Sequence, residues 1–157
     1  MHCTDPDHRH GGEDMLRRVE TACVERGLRL TELRRRVFEL LASSARPVKA
    51  YELLAQVRDH GSAPAAPPTV YRALDFLMDN GFVHKLETIN AYVPCPHPES
   101  DAHGSQFLVC ELCLETLELN ADGIVDQLHQ QARAQGFVPR RLNVEVYGLC
   151  ARCRSAH

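Results

Sequence analysis

The sequence predicts an α+β protein in two parts, four short amphipathic helices followed by a strand pair, then a small α/β unit bracketed by two Cys-x-x-Cys pairs. Three observations predict it. Apolar residues recur at helical spacing in four segments before residue 81, the period then changes to that of paired strands around a polar turn, and a proline-studded stretch at 94–98 precedes a cysteine-rich remainder. A chain of 157 residues has room for two small domains. With 44% apolar and 25% charged residues it has the make-up of a soluble globular protein and not of a disordered or membrane chain. No apolar run approaches the roughly 20 residues that cross a bilayer, and Met1–Asp5 is polar, without the apolar core of a secretion signal. A cytoplasmic location with no membrane partner is expected.

Residues 1–12, with His2, Cys3, His8 and His10, show no period and read as a flexible tail. From Glu13 to Arg26, Leu16, Val19, Ala22 and Cys23 fall on one helical face, and Gly27 stops the helix. Cys23 therefore reads as a small core residue. Thr31 is placed to cap a second helix, Glu32 to Ala42, with Leu33, Val37, Leu40 and Leu41 inward. A third runs from about Ala50 to Arg58 on Leu53, Leu54 and Val57. Pro67-Pro68 opens a fourth, Thr69 to Asn80, with Val70, Ala73, Leu74 and Leu77 inward and Gly81 at its end. Phe82–Leu86 and Ala91–Val93 flank a polar turn and form a hairpin. Short helices followed by a hairpin suggest a winged helix over 13–93, in which the helix before the wing enters the major groove of DNA.

Pro94-Cys95-Pro96-His97-Pro98 can continue neither a helix nor a central strand, which makes 94–104 a hinge. Beyond it, over 105–157, Gln106–Val109, Thr116–Leu119 and Leu142–Tyr147 read as strands and Ile124–Arg133 as a helix. A unit of about 50 residues is too small to be stabilised comfortably by its core alone, and a structural metal would remedy that.

Charge is unevenly spread. The net charge is −3, yet from Arg17 to Lys49 nine basic residues face four Glu, and after Tyr92 eight acidic residues face five basic ones. A basic segment can neutralise phosphates locally, although solvated helix faces look the same in a sequence.

Seven cysteines in a cytoplasmic chain point to metal and away from disulfides. In Cys110-Glu111-Leu112-Cys113 and Cys150-Ala151-Arg152-Cys153 the two-residue gap lets a tight turn aim both thiolates at one ion, and two such pairs complete a tetrahedral zinc site. The 36 residues between the pairs exceed a simple zinc ribbon, so the site ties the strand before the helix to the end of the chain. Cys95 stands apart, in an exposed-looking hinge near His84, His97 and His103, and Glu118 could add an oxygen; such a mixed set would bind zinc reversibly.

Leu28-Arg29-Leu30-Thr31, Ala50-Tyr51-Glu52-Leu53-Leu54, Pro67-Pro68-Thr69-Val70-Tyr71-Arg72-Ala73-Leu74-Asp75-Phe76-Leu77, Gly81–Lys85, both cysteine pairs and Gly148-Leu149-Cys150 together resemble the ferric uptake regulator family, and within it the zinc uptake regulator branch, over roughly Glu13 to Cys153. The resemblance implies a winged helix, a C-terminal dimerisation domain, and zinc as corepressor at palindromic operators of zinc-uptake genes. It implies two zinc ions per subunit, a structural one on Cys110, Cys113, Cys150 and Cys153 and a regulatory one on His84, Cys95, His103 and Glu118. It places Tyr71 and Arg72 against bases, where Arg can pair with guanine and the tyrosine ring can meet a thymine methyl. Thr69, Lys49, Tyr51, Arg29 and Thr31 are expected to position the backbone phosphates. Two departures from relatives stand out: Val146 occupies a position where some carry a further histidine ligand, so no third site is expected, and His97 competes with His103.

Two other classes share some of these features. His97-Pro98-Glu99 ahead of Cys110-x-x-Cys113 echoes the zinc deaminase pattern, but Val109 stands where that pattern has Pro, and the prolines forbid a helix around His97. A metal-storage or protein-binding zinc ribbon leaves the Pro68–Leu77 helix and the wing without a purpose. The expectation is a repressor, not an enzyme, with duplex DNA and a second copy as partners and no small-molecule substrate.

Overall fold

A computed structural model describes residues 8–59, 65–98, 105–119, 122–140 and 142–156, which divide into two compact units, 1–101 and 102–157. In the first, α1 (His8–Glu25), α2 (Glu32–Ala42), α3 (Ala50–Asp59) and α4 (Pro67–Asp79) pack beside a small sheet of β1 (Val48–Lys49), β2 (Val83–Leu86) and β3 (Ala91–Pro94). Strand order is β1-β3-β2, all antiparallel, with Val48 opposite Tyr92 and His84 opposite Val93. This is a winged helix with the β2–β3 hairpin as the wing.

Each helix buries the stripe its period marks out. Val19, Val37, Phe38, Leu41, Leu53, Val70, Leu74, Leu77 and Phe82 form one core, and Cys23 is part of it, its thiol pushed up by burial. Thr31 caps α2, its side chain accepting from the Arg34 amide at 3.4 Å. The Lys49 amide donates to the Glu52 carboxylate at 2.8 Å, half of a capping box that starts α3. Gly27 and Gly81 sit at φ +65° and +72°, and the next amides, Leu28 and Phe82, reach back to Cys23 and Leu77 carbonyls. Both helices therefore end in the left-handed turn that glycine makes cheap.

Several boundaries differ from expectation. The first helix begins at His8, so residues 8–12 are helix and not tail. Gly12 packs closely there: a Cβ would lie 3.1 Å from the Ala42 carbonyl oxygen. The fourth begins at Pro67, two residues early. Pro94 ends β3 and does not begin a hinge; β1 has already stopped, so the amide that proline lacks faces no ladder partner. Cys95 follows the same course, its amide donating to the Phe82 carbonyl at 2.8 Å.

The second unit holds β4 (Ser105–Cys110), β5 (Thr116–Glu118), α5 (Asp122–Ala134), β6 (Asn143–Gly148) and α6 (Ala151–Ser155). β4 is central, antiparallel to β5 and parallel to β6. Leu108, Leu117 and Val146 stand side by side on one face, where Leu117 is 59% and Val146 51% exposed. Neither β1 nor α6 was anticipated.

Candidate metal centre and nucleic-acid interface

The register of β4 against β6 builds the first site. Cys110 pairs with Gly148, and the Glu111 amide donates to the Gly148 carbonyl at 2.9 Å, which brings the first cysteine pair beside the second. The first pair is turned by the Leu114 amide reaching Cys110 oxygen at 2.9 Å, with Leu114 at φ +60°. The second is turned by α6, whose first turn is capped by Cys150 sulfur accepting from the Cys153 amide at 3.5 Å. All four sulfurs, of Cys110, Cys113, Cys150 and Cys153, lie within 4.8 Å of one another.

The separation fits a metal and not a disulfide. Four sulfurs about 2.3 Å from one zinc at tetrahedral angles stand about 3.8 Å apart, and Cys113 and Cys150 sulfurs are 3.7 Å apart. The site also carries charge unevenly. Amides of Cys113, Cys150 and Leu112 converge on Cys110 and lower its thiol to about 6. Cys113 is lowered by the Glu115 amide and by Arg152. Cys153, hydrogen-bonded to Cys150 and hemmed in by the other thiols, is pushed up to about 12. Four ligands leave no open position for an activated water, so this is not a hydrolytic site.

In the first unit, His84 on β2 and Cys95 just after β3 bring ring nitrogen and sulfur within 4.8 Å of each other. Cys95 is 1% exposed and His84 6%, so the hinge cysteine that looked exposed in the sequence is buried. Its backbone continues the strand pairing, the Cys95 amide bonded to the Phe82 carbonyl. His97 is exposed and is not in this cluster among the described residues. Glu118 lies on β5 in the second unit, half-buried, and His103 falls outside the described residues.

The DNA-facing candidates all belong to the first unit, and most of them are exposed. On α4, burial of Val70, Ala73, Leu74 and Leu77 leaves Thr69, Tyr71 and Arg72 exposed, Tyr71 by 45%. Arg29, Lys49 and Tyr51 are exposed too, and Thr31 is spent partly on its cap. Much of the basic excess is neutralised: Arg17 and Arg18 pair with Asp14, Arg35 with Glu20 and Glu39, Arg36 with Glu39. Arg29, Lys49 and Arg72 pair with no carboxylate among the described residues. Arg34, which a charge count would include, stacks on Phe76 at 3.7 Å and donates to the Arg29 carbonyl at 2.6 Å, fixing the loop that carries Arg29.

A thiol-lined centre in one unit and an exposed aromatic–arginine helix in the other define a two-domain metal-binding protein of the winged-helix class. The pattern of the Ferric uptake regulator family matches residues 25–147, and the chain belongs to that family. It is 40% identical over 141 residues to the Zinc uptake regulation protein of Escherichia coli (strain K12), covering 90% of this chain and 82% of that one. Among solved structures it resembles holo XcZur with a TM-score of 0.84 at 54% identity, covering 90% of this chain and 98% of that one. A zinc uptake regulator complexed with zinc and DNA gives a TM-score of 0.87 at 39% identity, covering 92% and 96%.

Proposed function

We propose that the chain is a zinc-dependent transcriptional repressor that binds palindromic operators of zinc-uptake genes as a homodimer in the cytoplasm, with zinc as corepressor. The observation that carries this reading is the buried His84–Cys95 pair at the wing of a DNA-binding fold. An imidazole nitrogen and a thiol sulfur side by side are donors that zinc favours. The relatives named for zinc uptake support zinc as the metal and control of zinc uptake as the physiology.

Two ions per subunit are assigned by donor chemistry. Cys110, Cys113, Cys150 and Cys153 hold a structural zinc, and His84, Cys95, His103 and Glu118 a regulatory one. Bound at the second set, zinc supplies two positive charges and a fixed ligand geometry to the wing and hinge. The chain's own residues do the rest. Arg72 and Tyr71 read base edges from the major groove, while Lys49, Tyr51, Arg29, Thr31 and Thr69 hold phosphates. The open apolar face of Leu108, Leu117 and Val146 borders a groove of about 440 Å³ also lined by Leu149. A second copy of the same face covers it, in the isologous way most homodimers form.

The deciding experiment is a gel-shift titration with a zinc-uptake promoter, using protein with one zinc per chain, before and after adding zinc. Binding switched on by zinc alone supports the reading. Cys95→Ser should bind operator identically with and without added zinc while keeping its melting temperature, and a variant that still responds would refute the assignment of Cys95.

A further inference from the structure

Arg26 directly follows the last residue of α1 and stands beside Gly27, a position that in the sequence looks like nothing more than a helix terminus. Its side chain does three things at once. One guanidinium nitrogen donates to the carbonyl of Asn80, the C-cap of α4, at 3.0 Å. The other donates to the carbonyl of Pro98 at 2.6 Å. The guanidinium carbon also lies 5.5 Å from the centre of the Phe82 ring, the residue whose own carbonyl accepts from Cys95. Arg18, two turns earlier on α1, donates to the Pro96 carbonyl at 3.3 Å.

We infer that Arg26 is a positioning residue that ties the C-terminal end of α4, the DNA-facing helix, to the segment carrying Cys95, through simultaneous hydrogen bonds to the carbonyls of Asn80 and Pro98. The inference rests on the reading of Cys95 as a zinc ligand and α4 as the recognition helix. Its physical basis is specific to arginine. A planar fork with five N–H donors can bridge two carbonyls, and its charge complements the negative end of α4. Prolines 96 and 98 stiffen the stretch between Cys95 and the bridge, so a displacement at the cysteine is passed on rather than absorbed. Core stability does not require this contact. Arg26 is exposed, and both helices it joins are already closed by their own glycine turns.

The test uses full-length protein and hydrogen exchange with and without zinc chloride, beside operator affinity under the same conditions. In the unaltered protein zinc should slow exchange both at Cys95 and His97 and at the amides of Asn80 to Phe82. In Arg26→Ala it should slow exchange only at Cys95 and His97, and the gain in operator affinity on adding zinc should shrink by about fivefold, the net worth of one ordinary hydrogen bond. Arg26→Lys, able to reach one carbonyl but not both, should recover part of the gain. An alanine variant in which zinc still protects both segments, or protects neither, overturns the inference, the second outcome marking a merely structural role. Failure of the functional reading is separate: it appears as an unaltered protein whose operator affinity ignores zinc, and the exchange comparison still decides whether Arg26 links the two segments.

Discussion

Replacing Cys110 by serine removes one of the four ligands proposed for a structural zinc, and the magnitude follows from how little else holds the second unit. Among its described residues only Phe107, Val109, Cys110 and Gln106 are buried. A unit of roughly 55 residues has about 3–8 kcal/mol of stability at about 0.05–0.15 kcal/mol per residue. Zinc bound by four such ligands contributes about 10–16 kcal/mol to folding, so one ligand in four is worth about 3 kcal/mol. That loss is comparable to the whole stability of the unit. Cys110 is also the thiol most readily ionised of the four, so serine removes the best anion. The first unit, with its own large core, should be untouched. Hydrogen exchange on the variant reads both at once. The β4 and β6 amides, such as those around Leu108 and Val146, should exchange as in an unfolded chain, while those of α2 and α4 keep their protection. A serine variant that retained protection across the β4–β6 ladder would refute the argument that this metal completes the fold.

Other consequences test other links. Arg72→Ala should weaken operator binding by about 1–3 kcal/mol and relax discrimination at one base pair, whereas Lys49→Ala should weaken all sequences alike and reduce the salt slope by about 1; fluorescence anisotropy across a salt series separates them. Leu74→Ala, at a fully buried position between α4 and the core, should cost about 2–5 kcal/mol in urea unfolding of the first unit, and a loss below 1 kcal/mol would contradict the packing described. Leu117→Glu, at 59% exposure on β5, should leave the subunit folded and its four-cysteine zinc in place but shift sedimentation from dimer to monomer; an unshifted dimer would move the interface off this face.

What could be read in the sequence divides along physical lines. The long helices were legible because an apolar stripe at 3.6-residue spacing and a closing glycine are local signals, and α1 and α4 carry both. The two-residue β1 and five-residue α6 were not, since neither is long enough to show a period; β1 exists because Val48 finds Tyr92, and α6 because a cysteine caps it. The early start of α1 was not legible either; its Gly12 lies against Ala42, 30 residues away in sequence. The four-cysteine centre was legible from spacing, as the chemistry of a tetrahedral ion dictates. Cys95 was found by its isolation from that centre, but its burial was missed because prolines and histidines around it suggest a surface. Arg26 gave no signal: its partners lie 54 and 72 residues away and are main-chain atoms.

The two centres differ in the chemistry that a sensor and a strut respectively require. Four thiolates at the junction of β4, β6 and α6 complete a unit with few other buried groups, so release of that metal would be coupled to unfolding. Such a site cannot report on fluctuating zinc without destroying the fold that reports. The His84–Cys95 pair stands against a large core that is formed whether or not the pair is liganded, with Val83, Leu86 and Phe82 buried around it. Its occupancy can therefore change while the winged helix persists. An imidazole and one thiol must give up fewer protons than four thiols, which makes exchange easier near neutral pH. Placing the exchangeable ligands on the wing and the residue after β3 puts them one hydrogen bond, Cys95 amide to Phe82 carbonyl, from the turn that ends α4. Under the proposed assignment the response to zinc would be delivered to α4 through that bond, while the four-cysteine metal would have only to hold a sheet together.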